Sequence, residues 1–201
     1  MKKISLCILL AALPAAAQWR HFGSEAVAPT GFFGVGFSAP VNPAANHQDP
    51  GWNLSGGIGV SSNYVGIMVD AMVTSFGISH RSLVAAGAAE GNQRYWAVTL
   101  DPIFHVNRRG PVDFYVTGGG GLYSQITTAR FRSDFGGSFF GPRDLVSSYS
   151  IYKPGVDGGA GFAFNLGFRS PVKVFAEARF HHMFLGDSGV SFIPVTVGVR
   201  F

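Results

Sequence analysis

The sequence predicts an all-β fold: an antiparallel up-and-down barrel of eight strands that crosses a membrane. Polarity alternates residue by residue along segments of about ten positions, the period of a strand with two unlike faces. Charged residues make up only 13% of the chain, against about 25% in soluble domains. Yet after the first residues no segment reaches the ~18 unbroken apolar residues of a membrane helix. A chain that is apolar overall but never continuously so has its apolar residues on alternate positions, as a barrel facing lipid requires.

The amino terminus stands apart. Lys2 and Lys3 precede an apolar run from Ile4 to Leu13, followed by Pro14-Ala15-Ala16-Ala17-Gln18. A basic start, a short apolar centre and an Ala-x-Ala end form a secretory signal peptide, residues 1–17, cut after Ala17. The run is too short for the ~20 residues of a spanning helix. Residues 18–30 are expected to be a periplasmic segment and 31–201 the barrel. Cys7, the only cysteine, lies in the signal and too early for a lipoprotein cysteine, so the mature chain has neither a disulfide nor a cysteine-bound metal. Loss of the two lysines lowers the formal charge from +4 to +2, which leaves no nucleic-acid footprint.

The strands follow in order. A first, weaker one runs from Gly31 to Val41, with Phe33, Val35, Phe37 and Ala39 on one face. In the second, Trp52, Leu54, Ile58 and Val60 oppose Asn53, Ser55, Gly57 and Gly59; in the third, Val65, Ile67, Val69 and Val73 oppose Gly66, Met68, Asp70 and Thr74. The fourth sets Trp96, Val98 and Leu100 against Tyr95, Thr99 and Asp101, and the fifth Val112, Phe114 and Val116 against Asp113, Tyr115 and Thr117. Phe162, Phe164, Leu166 and Phe168 oppose Gly161, Ala163, Asn165 and Gly167 in the sixth. The seventh places Val174, Ala176, Ala178 and Phe180 opposite Lys173, Glu177, Arg179 and His181. The eighth places Ile193, Val195, Val197, Val199 and Phe201 opposite Pro194, Thr196, Gly198 and Arg200.

Bulk decides which face is inside. Glycines and the charged Asp70, Asp101, Asp113, Lys173, Glu177, Arg179 and Arg200 suit a narrow lumen, whereas Phe, Val and Ile suit lipid. Short links near Ser62-Asn63, 107–111 and 169–171 alternate with long ones at 42–51, 79–93, 126–157 and 185–191. With both termini periplasmic, every short link falls on the periplasmic side and every long one outside. Outward Phe33, Phe114, Phe168 and Phe201 then lie at one rim, and Trp52, Trp96 and Phe184 at the other, as two aromatic girdles. Pro102 and Pro194 lack a ladder donor and are expected to cost a hydrogen bond or mark a bulge.

The ending Ile193-Pro194-Val195-Thr196-Val197-Gly198-Val199-Arg200-Phe201, and the segment Val174-Phe175-Ala176-Glu177-Ala178-Arg179-Phe180, resemble the small outer-membrane β-barrels of the OmpA- and OmpX-like family. The resemblance covers essentially all of the mature chain. It implies an outer-membrane protein of a Gram-negative bacterium, monomeric, without cofactor or metal, and not an enzyme. It implies Phe201, with Val199 and Val197, as a signal read by the barrel-assembly machinery, and outer-membrane lipids and lipopolysaccharide as partners. The peptidoglycan-anchoring role of longer relatives is not expected.

Other candidate chemistry is weaker. Gly118 to Gly121 and Gly158-Gly159-Ala160-Gly161 lie within strands, with no helix expected nearby, so they read as close packing rather than phosphate cradles. Asn53-Leu54-Ser55 matches a glycosylation sequon but sits inside a strand. Some eight-stranded barrels are lipid A deacylases, with an outward His, a Ser two residues on and an acid. Here His182 is outward but the residue two on is Phe184, leaving Ser191 as substitute nucleophile and Asp187 as orienting acid. The longest loop, 126–157, carries Arg130, Arg132, Phe135 and Arg143, a mixture suited to anionic sugars or phosphate. The expected function is a structural or surface-interaction barrel with a plugged, charged lumen; a lipid A-modifying enzyme or a narrow pore is the alternative.

Overall fold

The computed structural model describes residues 27–41, 43–106, 112–132, 144–166, 172–186 and 189–201. Eight strands form one closed antiparallel barrel in chain order. They are β1 (Ala28–Val41), β2 (Gln48–Ser61), β3 (Val65–Ile78), β4 (Glu90–His105), β5 (Val112–Arg132), β6 (Asp144–Asn165), β7 (Lys173–Phe184) and β8 (Gly189–Arg200). β1 pairs with β8 to close the ring. At that seam Gly31 and Phe201 exchange backbone hydrogen bonds of 3.0 and 2.9 Å, and Thr30 Oγ1 donates to the Phe201 carbonyl at 2.9 Å.

The expected alternation holds through the strands. Val65, Ile67, Val69, Trp96, Val98, Leu100, Phe114, Val116, Val197 and Val199 are exposed on the outside, while Met68, Asp70, Tyr95, Asp101, Asp113 and Tyr115 are buried inside. Both girdles are exposed where described: Phe33, Phe114 and Phe201 at one rim, Trp52, Trp96 and Phe184 at the other. Phe168 lies outside the described residues.

The lengths differ from the sequence reading. β1 begins at Ala28 rather than Gly31, and most of the expected loop 126–157 is strand, because β5 and β6 pair from Val112↔Phe164 to Arg132↔Asp144. β7 meets β6 only up to Gly155↔Met183, so residues 144–154 of β6 run on with β5 alone. At ~3.3 Å per residue this raised hairpin extends about 35 Å past the end of β7. Polarity alternates only where one face is dry. Above that level both faces are wet, and the strand signal is only the β-branched and aromatic content of Thr127, Thr128, Tyr149, Ile151 and Tyr152.

The link 79–93 also holds more structure than expected. It carries a short helix α1 (His80–Ala86), closed by Gly87 at φ +66°, a left-handed turn that favours glycine. Neither strand proline shifts the register. Pairing of β4 with β5 lapses between Leu100↔Gly120 and Ile103↔Thr117 and resumes in step, with Thr117 Oγ1 donating to the Pro102 carbonyl at 3.1 Å. Around Pro194 the β7–β8 pairing lapses between Ala178↔Val195 and His181↔Phe192, again without a slip. The register shift in β2 lies instead between Asp49 and Trp52, where Pro50 and Gly51 stand.

Candidate functional site

The inward side chains fill the barrel in three layers. Toward the end of the barrel that carries the raised hairpin, Met72, Phe76, Tyr95, Ala97, Tyr123, Met183 and Phe192 form one buried cluster. Toward the short-turn end, Phe32, Met68, Ile103, Tyr115, Ala163 and Phe175 form a second. An ionic layer separates them.

Arg179 is the centre of that layer. Its guanidinium lies 2.8 Å from Asp70 Oδ2, 2.7 Å from Asp101 Oδ2 and 2.5 Å from Glu177 Oε1, with Asp157 Oδ1 at 4.0 Å. All five side chains are at most 8% exposed. A planar fork with five N–H donors is the one side chain that can serve several carboxylates at once. Thr99 Oγ1 donates to Asp101 at 2.8 Å. Gly159 makes the close approach possible, since a Cβ there would meet the Arg179 Cγ at 2.8 Å and the Ala178 carbonyl. Next to Arg179 a cavity of about 20 Å³ is lined by Asp70, Thr99, Glu177, His181, Pro194 and Thr196. That is room for about one water.

The charges nearer the short-turn end group differently from the expected set of Asp113, Lys173 and Arg200. Arg200 stacks in a cage of Phe32, Tyr115 and Phe175, with its carbon 4.3 Å from the Tyr115 ring centre, and its Nη2 lies 3.9 Å from Glu177 Oε2. Asp113 is held instead by Lys173 Nζ at 3.3 Å and by His105 Nδ1, 3.0 Å from both carboxylate oxygens. The other ring nitrogen of His105 is 3.2 Å from Ser61 Oγ.

Sequence reasoning does not find Asp157, His105, Phe76 or Phe192 as members of these layers, although alternation in the second strand does put Ser61 on the inner face, where it is buried. Asp157 falls in the expected long loop and Phe192 beside an expected link, because the strands that carry them extend further than alternation indicates. His105 follows Pro102, where an expected bulge leaves its side undetermined. An unbroken parity count through the proline places it inside. His181 is inward by parity, but its 2.8 Å hydrogen bond to Tyr123 and its 3.9 Å approach to Asp157 follow from register alone.

On the outer face, His182 Nδ1 and Ser191 Oγ are 2.8 Å apart across β7 and β8. Asp187 lies outside the described residues, as do Phe135, Arg143 and the side chain of Arg132. Arg130 lies in β5 and pairs with Glu90 at 3.6 Å, both side chains well exposed. Among the described residues no group of three or more His, Cys, Asp or Glu is placed to hold a metal ion.

The family model for outer membrane protein beta-barrel domains matches residues 4–201. No curated protein matches the chain by sequence at a significant level. Among solved structures, Neisserial surface protein A is similar at a TM-score of 0.58 and 16% identity, over 88% of this chain and 98% of that one. A major outer membrane protein of Thermus thermophilus is similar at a TM-score of 0.52 and 10% identity, over 87% and 99%. The attachment invasion locus protein of Yersinia pestis, in a complex with the heparin analogue sucrose octasulfate, gives 0.47 and 21%, over 86% and 99%.

Proposed function

Because the chain belongs to the outer membrane protein beta-barrel domain family, we propose that it is a structural or surface-interaction barrel of the outer membrane, with a lumen plugged by its own side chains. One observation carries this reading: exposed Val, Ile, Leu and Phe cover the outside of the barrel while Arg179 and its carboxylates are buried within. Only a surrounding of lipid makes that inversion favourable, since apolar surface left in water costs roughly 25 cal/mol per Å².

The contact surface is the raised hairpin of β5 and β6, which offers Arg130 and the exposed Tyr149 and Tyr152. Arginine with aromatic rings suits anionic sugars and the phosphates of lipopolysaccharide. Membrane lipids, lipopolysaccharide and, during biogenesis, the assembly machinery at Phe201 are the partners of this reading. The barrel acts as a monomer with both termini periplasmic. Biotinylation of Lys153 on intact cells tests the orientation. Lys153 is exposed in the hairpin and is expected to label from outside, whereas Lys173, at the opposite end, is expected to label only after the envelope is opened. The reverse pattern would invert the topology.

A further inference from the structure

We infer that the mouth at the hairpin end of the barrel is a binding site for an uncharged pyranose sugar, built on the inner face of β4, β5 and β6. Register sets the site. Gln93 lies opposite Thr127, and Thr127 opposite Tyr149, which makes one row across the three strands. Tyr95, Gln125 and Ile151 form the row beneath it. Tyr95 is fully buried inside the barrel, and the period of the strands puts both rows on its face.

The polar groups are fixed by one another. Buried Gln48 donates from Nε2 to Gln93 Oε1 and, at 2.8 Å, to the Tyr95 hydroxyl. Gln93 Nε2 donates in turn to Thr127 Oγ1 at 3.2 Å, and Gln125 Nε2 reaches the same oxygen at 3.4 Å. The network is short of donors: the buried Oε1 atoms of Gln48 and Gln125 have none among the described residues. A ligand hydroxyl that meets the half-buried Gln125 supplies what its oxygen lacks. Beside Thr127, Tyr149 is 67% exposed and offers a ring for the C–H face of a sugar.

The face is open to a ligand. β7 stops at Phe184, opposite Gly189 of β8, so among the described residues no strand stands beside β6 from 144 to 154. A sugar therefore enters over the lower β7–β8 wall, and Phe76, Tyr95 and Phe192 close the lumen beneath it. Amides and hydroxyls that both give and take hydrogen bonds match sugar hydroxyls, which do the same. Neither row holds a charged side chain. Lys153 stands one row lower on the same face, so the test includes an acidic sugar. Arg130 lies on the opposite face of the hairpin by strand parity, which separates this site from the anionic contact proposed above. The inference takes from that proposal only the outward direction of the hairpin, on which binding in micelles does not depend.

The test titrates the folded mature chain in detergent micelles with lactose, chitotriose and sialyllactose, read by saturation-transfer NMR. At least one of the two neutral sugars is expected to bind, and sialyllactose no more tightly than lactose. Tyr149→Ala and Gln125→Leu should each weaken that binding at least ~10-fold. Tyr152→Ala, an exposed tyrosine on the outer face of the same hairpin, should leave it unchanged. Heat-modifiable migration on gels shows that each variant is folded. A folded wild type that gives no transfer to either neutral sugar overturns the inference. So does equal weakening by Tyr149→Ala and Tyr152→Ala, and tighter binding of sialyllactose than of lactose overturns the uncharged class.

Discussion

Arg179 serves three carboxylates within 2.8 Å and a fourth at 4.0 Å, in a layer closed off by apolar clusters on both sides. Removing the cation would leave those acids buried and uncompensated, an effect that typically costs ~3–5 kcal/mol. Arg130→Ala breaks only the exposed pair with Glu90, where the loss is about 0–1 kcal/mol. Denaturant unfolding of the two variants should separate by that margin, and equal midpoints would show that the ionic layer contributes nothing. Part of this layer is legible in the sequence. Strand parity puts Asp70, Asp101, Glu177 and Arg179 on the inner face and requires Arg179 to bridge at least one acid. It does not reveal Asp157, which lies where alternation fades into an expected loop, nor the exchange of Arg200 for His105 at Asp113. Parity gives a direction, but partner choice depends on depth along the barrel, and that is set by register.

At the scale of elements, the outer face is readable wherever lipid sits on one side and packed side chains on the other. β8 is the clearest case: Val195, Val197 and Val199 alternate with Thr196, Gly198 and Arg200. Val197 is half exposed, at mid-strand. A Val197→Arg change puts a charge against acyl chains, at a cost of roughly 2–4 kcal/mol near the bilayer midplane. The variant should insert poorly and lose the heat-modifiable band on gels, while the same change at exposed Tyr152 in the raised hairpin should be tolerated. Normal insertion of Val197→Arg would contradict the assignment of that face. The hairpin itself is not legible, because the alternation that betrays a strand at a dielectric boundary disappears once both faces meet water. Pro102 and Pro194 each interrupt one ladder while the neighbouring pairs hold the register, so of the two outcomes expected there, a lost ladder hydrogen bond or a bulge, the pairing shows the first.

For the whole molecule, eight strands leave an interior just wide enough for side chains to fill. Tyr95, Tyr115, Tyr123, Phe76, Phe175 and Phe192 are almost completely buried inside it. Strand number and closure follow from counting alternating segments and matching short links to long ones. The layering of aromatic, ionic and aromatic levels does not, since it needs the shear that brings Phe76, Tyr95 and Phe192 to one height. Among the described residues an apolar layer lies on each side of the ions and a small cavity lies beside Arg179; in the proposed reading those layers deny water a continuous path. The most direct test is single-channel recording of the purified wild-type barrel in planar bilayers. A plugged lumen predicts a baseline without sustained openings over the full range of holding potentials. Large, steady currents from the folded protein would contradict it.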